Sequence, residues 1–150
     1  TFNQISDMVT RLSIQGSAIN AIGDEDVRVS KRLYIPSRKL RGFESGKIGP
    51  KDSGDYIGGN YTAVLNASTT LPEFGANLEK IDFQLFFDAA NVWGVDYDSS
   101  LDSSELRSSI GLGVDWYTIV GPLNFSIAQP ISKADTDKTE TVRFNIGTTF

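Results

Sequence analysis

The sequence predicts an all-β fold of the transmembrane-barrel type. Three observations carry that reading. Apolar and polar side chains alternate with a period of two from residue 57 onward. The connections between alternating stretches are by turns long and short, as are the extracellular loops and periplasmic turns of outer-membrane barrels. Aromatic residues gather near strand ends (Tyr61, Trp93, Trp116, Tyr117, Phe150), as girdle residues do at a bilayer boundary.

The elements follow in chain order. A first, less regular strand is predicted near 9–21, with Leu12, Ile14, Gly16 and Ala18 on one face. A very long polar loop, 23–56, comes next. A strand near 57–71 places Tyr61, Ala63, Leu65, Ala67 and Leu71 on its apolar side. After a shorter link near 72–80, with Pro72 and Gly75, Ile81, Phe83, Leu85, Phe87 and Ala89 oppose Asp82, Gln84, Phe86 and Asp88. Beyond a polar loop at 92–107, Ile110, Leu112, Val114 and Trp116 oppose Ser109, Gly111, Gly113 and Asp115. Gly121-Pro122 marks a short turn before Leu123, Phe125 and Ile127, which oppose Asn124, Ser126 and Ala128. A loop at 131–139 leads to Val142, Phe144, Ile146, Thr148 and Phe150, set against Arg143, Asn145, Gly147 and Thr149. A soluble β-sandwich also alternates. The small and polar set, however, makes a poor solvated surface and a good lumen wall.

Composition narrows the function. The chain has 150 residues, enough for one domain, and a net charge of -5 that argues against nucleic-acid binding. It contains neither cysteine nor histidine. Disulfides, thiolate or imidazole metal sites and the usual catalytic triads are therefore excluded, and no enzyme, cofactor or metal is expected. Carboxylate-only catalysis stays open but unsupported. Asp96, Asp98, Asp102 and Glu105 offer oxygen ligands in one acidic loop, but their spacing matches no calcium loop. No run approaches the ~20 apolar residues of a transmembrane helix. The start, Thr1-Phe2-Asn3-Gln4, has no signal-peptide pattern and reads as an interior cut.

One motif stands out in the long loop: Arg41-Gly42-Phe43, within Leu40-Arg41-Gly42-Phe43-Glu44-Ser45. Further short motifs follow it in order. They are Ile48-Gly49-Pro50-Lys51, Gly58-Gly59-Asn60, Phe86-Phe87-Asp88 with Asn91-Val92-Trp93, Gly121-Pro122-Leu123, Ala128-Gln129-Pro130, and Phe144 through Phe150. In this arrangement the chain resembles the BamA family, the outer-membrane-protein insertases with periplasmic POTRA domains and a 16-stranded barrel. The likeness runs from about residue 8 to the end. It implies that the chain holds the last six or so antiparallel strands of the barrel, with a remnant of a further strand at Thr1–Asp7, and without POTRA domains or earlier strands.

The resemblance also assigns roles. Arg41, Gly42 and Phe43 form the tip of a loop folded back into the lumen. Arg41 pairs with a wall aspartate that Asp88 matches, and Phe86, two residues away on the same face, can stack on the guanidinium. Gly42 supplies a conformation or close approach open only to glycine, and Phe43 packs inside the folded loop. Phe144, Gly147 and Phe150 belong to a terminal strand that would form a lateral seam and carry a C-terminal signal. Asp82, Asp115 and Arg143 read as ordinary lumen charges. Asn66 and Ser68 stand where some relatives place a lumen carboxylate, so one acidic partner of Arg41 is missing. The implied partners are nascent outer-membrane proteins, assembly lipoproteins and the lipid bilayer, in the bacterial outer membrane. Copies of the chain alone are expected to pair through open strand edges. A two-partner secretion transporter, a passive porin and a soluble sandwich are the competing readings.

Overall fold

The computed structural model describes residues 8–72, 80–102 and 104–146. Six strands form one antiparallel sheet: β1 (Thr10–Ala18), β4 (Tyr61–Thr70), β5 (Ile81–Trp93), β6 (Arg107–Thr118), β7 (Gly121–Ser132) and β8 (Val142–Ile146), in the order β1-β4-β5-β6-β7-β8. Two very short strands, β2 (Lys51–Asp52) and β3 (Asp55–Tyr56), form a separate hairpin within the long connection from β1 to β4. Each large strand therefore pairs with its neighbour in the chain, apart from this excursion. Among the described residues, β1 and β8 each have one unpaired edge.

The alternation decides which side each residue takes. Leu12, Ile14, Leu85, Ile110, Leu112, Phe125, Ile127, Val142, Phe144 and Ile146 all lie exposed on one side of the sheet. An apolar belt of that extent would be a liability in water and is what lipid requires of a barrel exterior. The other side carries the partners of opposite parity, and the connection 19–60 lies against it. The buried apolar cluster forms there: Ile35, Leu40, Phe43 and Ile48 from the connection pack on Val64, Ala90 and Val92 of the wall. The core is thus on the lumen side, between loop and sheet.

Several boundaries shift from those expected. The first strand is regular from Thr10 to Ala18, paired with β4 throughout. Residues 57–60 are not part of a strand in the main sheet. Gly59 instead exchanges two backbone hydrogen bonds with Leu33, at 2.8 and 3.0 Å, and so ties the loop to itself. β5 continues through Trp93, because Ala90 and Val92 are buried beneath the loop. The β6–β7 turn falls on Ile119-Val120, and Gly121 and Pro122 already begin β7. Here the Thr118 hydroxyl closes the turn by donating to the Gly121 carbonyl at 2.7 Å. A bulge lies opposite Ser108 and Ser109, where Ile131 is skipped. The neighbouring Pro130 has no N–H to offer the ladder, which fits an irregularity at this place. Of the girdle aromatics, Tyr61 stacks on Trp93 at 5.9 Å and Trp116 is exposed on the apolar side. Tyr117 instead lines a lumen-side cavity with Asp82 and Asp115. Gly75, the Thr1–Asp7 remnant, Gly147 and Phe150 lie outside the described residues.

Candidate functional site

The strand registers build a receiving surface for the loop. Asn66 of β4 lies opposite Asp88 of β5, and Asp88 lies opposite Ser109 of β6. One row of the lumen wall thus reads Asn66-Asp88-Ser109. The next row reads Ser68-Phe86-Gly111-Ala128. Both rows face inward because all these positions share one parity.

Arg41 docks on these two rows. Its Nε donates to Asp88 Oδ2 at 2.7 Å and its Nη2 to Oδ1 at 2.8 Å, a bidentate fork. The Arg41 backbone N–H adds a third bond to Oδ2 at 3.1 Å. The guanidinium carbon sits 3.5 Å from the centroid of Phe86, so the cation is stacked on the ring as well as paired. Asp88 is wholly buried, and the Arg41 side chain retains 18% exposure. The Ser109 hydroxyl donates to the Arg41 carbonyl.

Two glycines make this approach possible. Gly42 has φ +92°, and a Cβ there would lie 3.1 Å from Ala128 Cβ and 3.2 Å from Ser109 Cβ. The turn and the wall contact both call for a residue with no side chain. Gly111 makes room on the wall itself. A Cβ there would come within 2.5 Å of Phe86 Cζ, and the ring under Arg41 occupies that space. Phe43, 1% exposed, belongs to the buried cluster and forms an antiparallel bridge with Thr139.

Asn66 supplies no carboxylate to Arg41 and instead acts on Asp88 and on the loop. Its amide donates to Asp88 Oδ1 at 2.8 Å and to the Lys39 carbonyl at 2.7 Å. A carboxylate could do neither, so the amide both solvates Asp88 and holds the loop just before Arg41. Ser109 and Gly111 were not singled out by the sequence either. Counting outward from Asp88 along the hairpin registers would have found both.

A second set of charges lies nearer the outer end. The Arg107 and Asp137 side chains are 1% and 0% exposed and form a bidentate pair, with Nε to Oδ2 at 2.8 Å and Nη2 to Oδ1 at 3.2 Å. Arg32 pairs with Asp96, which also accepts from the Val27 N–H at 2.8 Å and from Asn60 Nδ2 at 3.1 Å. Desolvation pushes the Asp96 carboxyl up, but these hydrogen bonds and the Arg32 charge outweigh it and leave its pKa below the ordinary value. The rest of the acidic loop is dispersed. Asp98 caps Ser100, and Asp102 accepts from the Gly94 N–H at 2.8 Å. Among the described residues no three carboxylates converge as a metal site. Asp82, Asp115 and Arg143 line cavities on the lumen side, and Phe144 stands on the opposite face against Phe125, with centroids 4.6 Å apart.

This folded-back loop on a barrel-type wall has counterparts among known proteins. Residues 1–150 match the Omp85 superfamily domain. The chain belongs to the Omp85 superfamily. Within it, the likeness is to the BamA family. The outer membrane protein assembly factor BamA of Neisseria meningitidis serogroup B is 34% identical over 139 residues, covering 74% of this chain and 17% of that protein. BamA of Neorickettsia risticii is 30% identical over 156 aligned positions, covering 99% and 21% respectively. The human sorting and assembly machinery component 50 homolog is 31% identical over 99 residues, covering 62% of this chain and 21% of that protein. In three dimensions, the crystal structure of Haemophilus ducreyi BamA lacking POTRA domains 1–3 superposes with a TM-score of 0.82 at 27% identity, over 95% of this chain and 32% of that one. This Omp85 chain spans about a fifth of the length of the curated BamA proteins it matches.

Proposed function

We propose that the chain is the C-terminal barrel wall and lumen loop of an outer-membrane protein assembly factor, which folds and inserts barrel proteins into the bacterial outer membrane. The observation that carries this reading is the Arg41–Asp88 fork, stacked on Phe86, which latches the loop inside the wall. A passive pore has no need of such a latch, and the BamA likeness over nearly the whole chain points the same way. The action involves no covalent chemistry, cofactor or nucleotide. The apolar belt meets the bilayer, and nascent outer-membrane proteins pair with an open strand edge at a seam formed by β8, to which Phe144 belongs. Assembly lipoproteins act as accessory partners.

The test is insertion of an unfolded barrel substrate into liposomes carrying the protein, read as gain of protease resistance. The wild-type protein speeds insertion, and Arg41→Ala slows it several-fold while leaving strand content unchanged. Ion conductance with no effect on insertion would instead make the protein a passive pore.

A further inference from the structure

Outside the latch, the described residues hold a second, more deeply buried junction. Every guanidinium nitrogen of Arg107 is occupied. Besides Asp137, Nη1 donates to Asn91 Oδ1 at 2.9 Å and to the Glu105 carbonyl at 2.7 Å. Asp137 accepts in turn from the backbone N–H of Ala134 at 2.7 Å and of Gly49 at 3.3 Å. One ion pair therefore ties together β5, the start of β6, the β7–β8 connection and the latch loop.

The latch loop and the β7–β8 connection are also joined directly. The Glu44 N–H donates to the Lys138 carbonyl, the Lys138 N–H to the Lys47 carbonyl and the Glu140 N–H to the Gly42 carbonyl, each at 3.0 Å. The Tyr56 hydroxyl donates to the Thr136 carbonyl. This is a short antiparallel ladder around the Phe43–Thr139 bridge. It ends at Glu140, and β8 begins at Val142, after Thr141 accepts from the Ala128 N–H at 2.8 Å. β8 itself has five described ladder pairs, Val142 to Ile146, whereas β7 has eleven with β6. The last described strand of the main sheet is thus fed by the segment that the latch holds.

We propose that Arg107 and Asp137 are positioning residues that couple the latch to β8, so that loop and terminal strand loosen together. The carboxylate of Asp137 is the shared point. It bonds the latch loop at Gly49, and it fixes the turn at Ala134 from which the chain runs to β8. With Asp137 in place, the three ladder bonds lie in register and Thr141 is presented to β7. Without it, a desolvated Arg107 has no counter-ion, and the connection loses its fixed seat on both sides. Arg41 holds the tip of the same loop three residues before Glu44, so release at the tip passes along the ladder to Lys138 and Glu140. The link from this coupling to assembly rests on the function proposed above.

The experiment is amide hydrogen exchange on the chain in detergent micelles, comparing wild type, Asp137→Asn, Arg41→Ala and Glu44→Pro. Glu44→Pro deletes one ladder donor and leaves both ion pairs intact, so it tests the coupling even if Asp137→Asn does not fold. The expected result is at least a tenfold loss of protection in 42–49 together with 142–146, and unchanged protection in the β4–β5 ladder. Loosening of 42–49 with β8 protection unchanged would overturn the coupling. Insertion activity measured on the same variants separates the two ideas. Coupled exchange in a protein that never speeds insertion refutes the function and keeps the coupling. Normal insertion by wild type with independent exchange does the reverse.

Discussion

The two arginines that pin the lumen loop are built differently. Arg41 reaches a buried carboxylate from a loop tip and keeps 18% of its side chain exposed, stacked on Phe86 and within reach of water. Arg107 rises from a strand, is 1% exposed and meets a fully buried Asp137. Asp88 keeps the Asn66 amide as a donor if the Arg41 side chain leaves. Arg107 has no second carboxylate to turn to among the described residues. The first pair has the construction of a contact that can open, and the second that of a fixed joint.

Removing Arg107 should have the largest effect. Arg107→Ala leaves Asp137 buried without its counter-ion, at a cost of ~3–5 kcal/mol, and thermal unfolding in micelles should show it directly. The contrast fails if Arg41→Ala proves the more damaging change. Arg41→Ala should cost less, about 2–3 kcal/mol, because its guanidinium is already partly exposed and its removal opens Asp88 to water. Limited proteolysis should then cut within 38–47 while the strands resist. Gly42→Ala comes next, at ~1–3 kcal/mol, from a strained positive φ and crowding against Ala128 and Ser109. If that variant holds the loop as firmly as wild type, the close approach at the tip is not limiting.

The smallest effect is one of pH. Asp96 has its folded-state pKa below the ordinary value, so its contribution is complete above the ordinary carboxylate range and is lost as pH falls through the folded-state value. Protection of the Val27 amide, measured relative to the intrinsic exchange rate at each pH, should therefore fall on acidification. An Asp96→Asn protein should show no such step.

Much of the wall was legible because alternation is a local signal, and a residue's parity fixes its side of the sheet. Asp88 and Phe86 came through a motif likeness, and the structure brings both to Arg41. The rest was hidden for stated reasons. Asn66 was read by its charge, whereas its role depends on the two protons of its amide. Arg107 and Asp137 stand 30 residues apart on a strand and a loop, where no periodicity links them. The Ile119-Val120 turn carries none of the usual turn residues, so the signal fell on its neighbours Gly121 and Pro122. Self-association through the open edges of β1 and β8 is a separate question that light scattering of the chain in micelles would answer.

Gly111 leaves room in the wall that the Phe86 ring takes up. Phe86 lies in the space that any larger residue there would fill, and the loop's guanidinium lies on Phe86. A single methyl group added at Gly111 would meet the Ile127 carbonyl at 2.2 Å and the ring at 2.5 Å, and so would press on the β6–β7 ladder and on the ring together. It would lift the arginine from its carboxylate without touching either charged residue. How deep the loop can sit in the barrel is therefore set, at this point, by the absence of one carbon atom in the strand beside the one that holds the loop's cation.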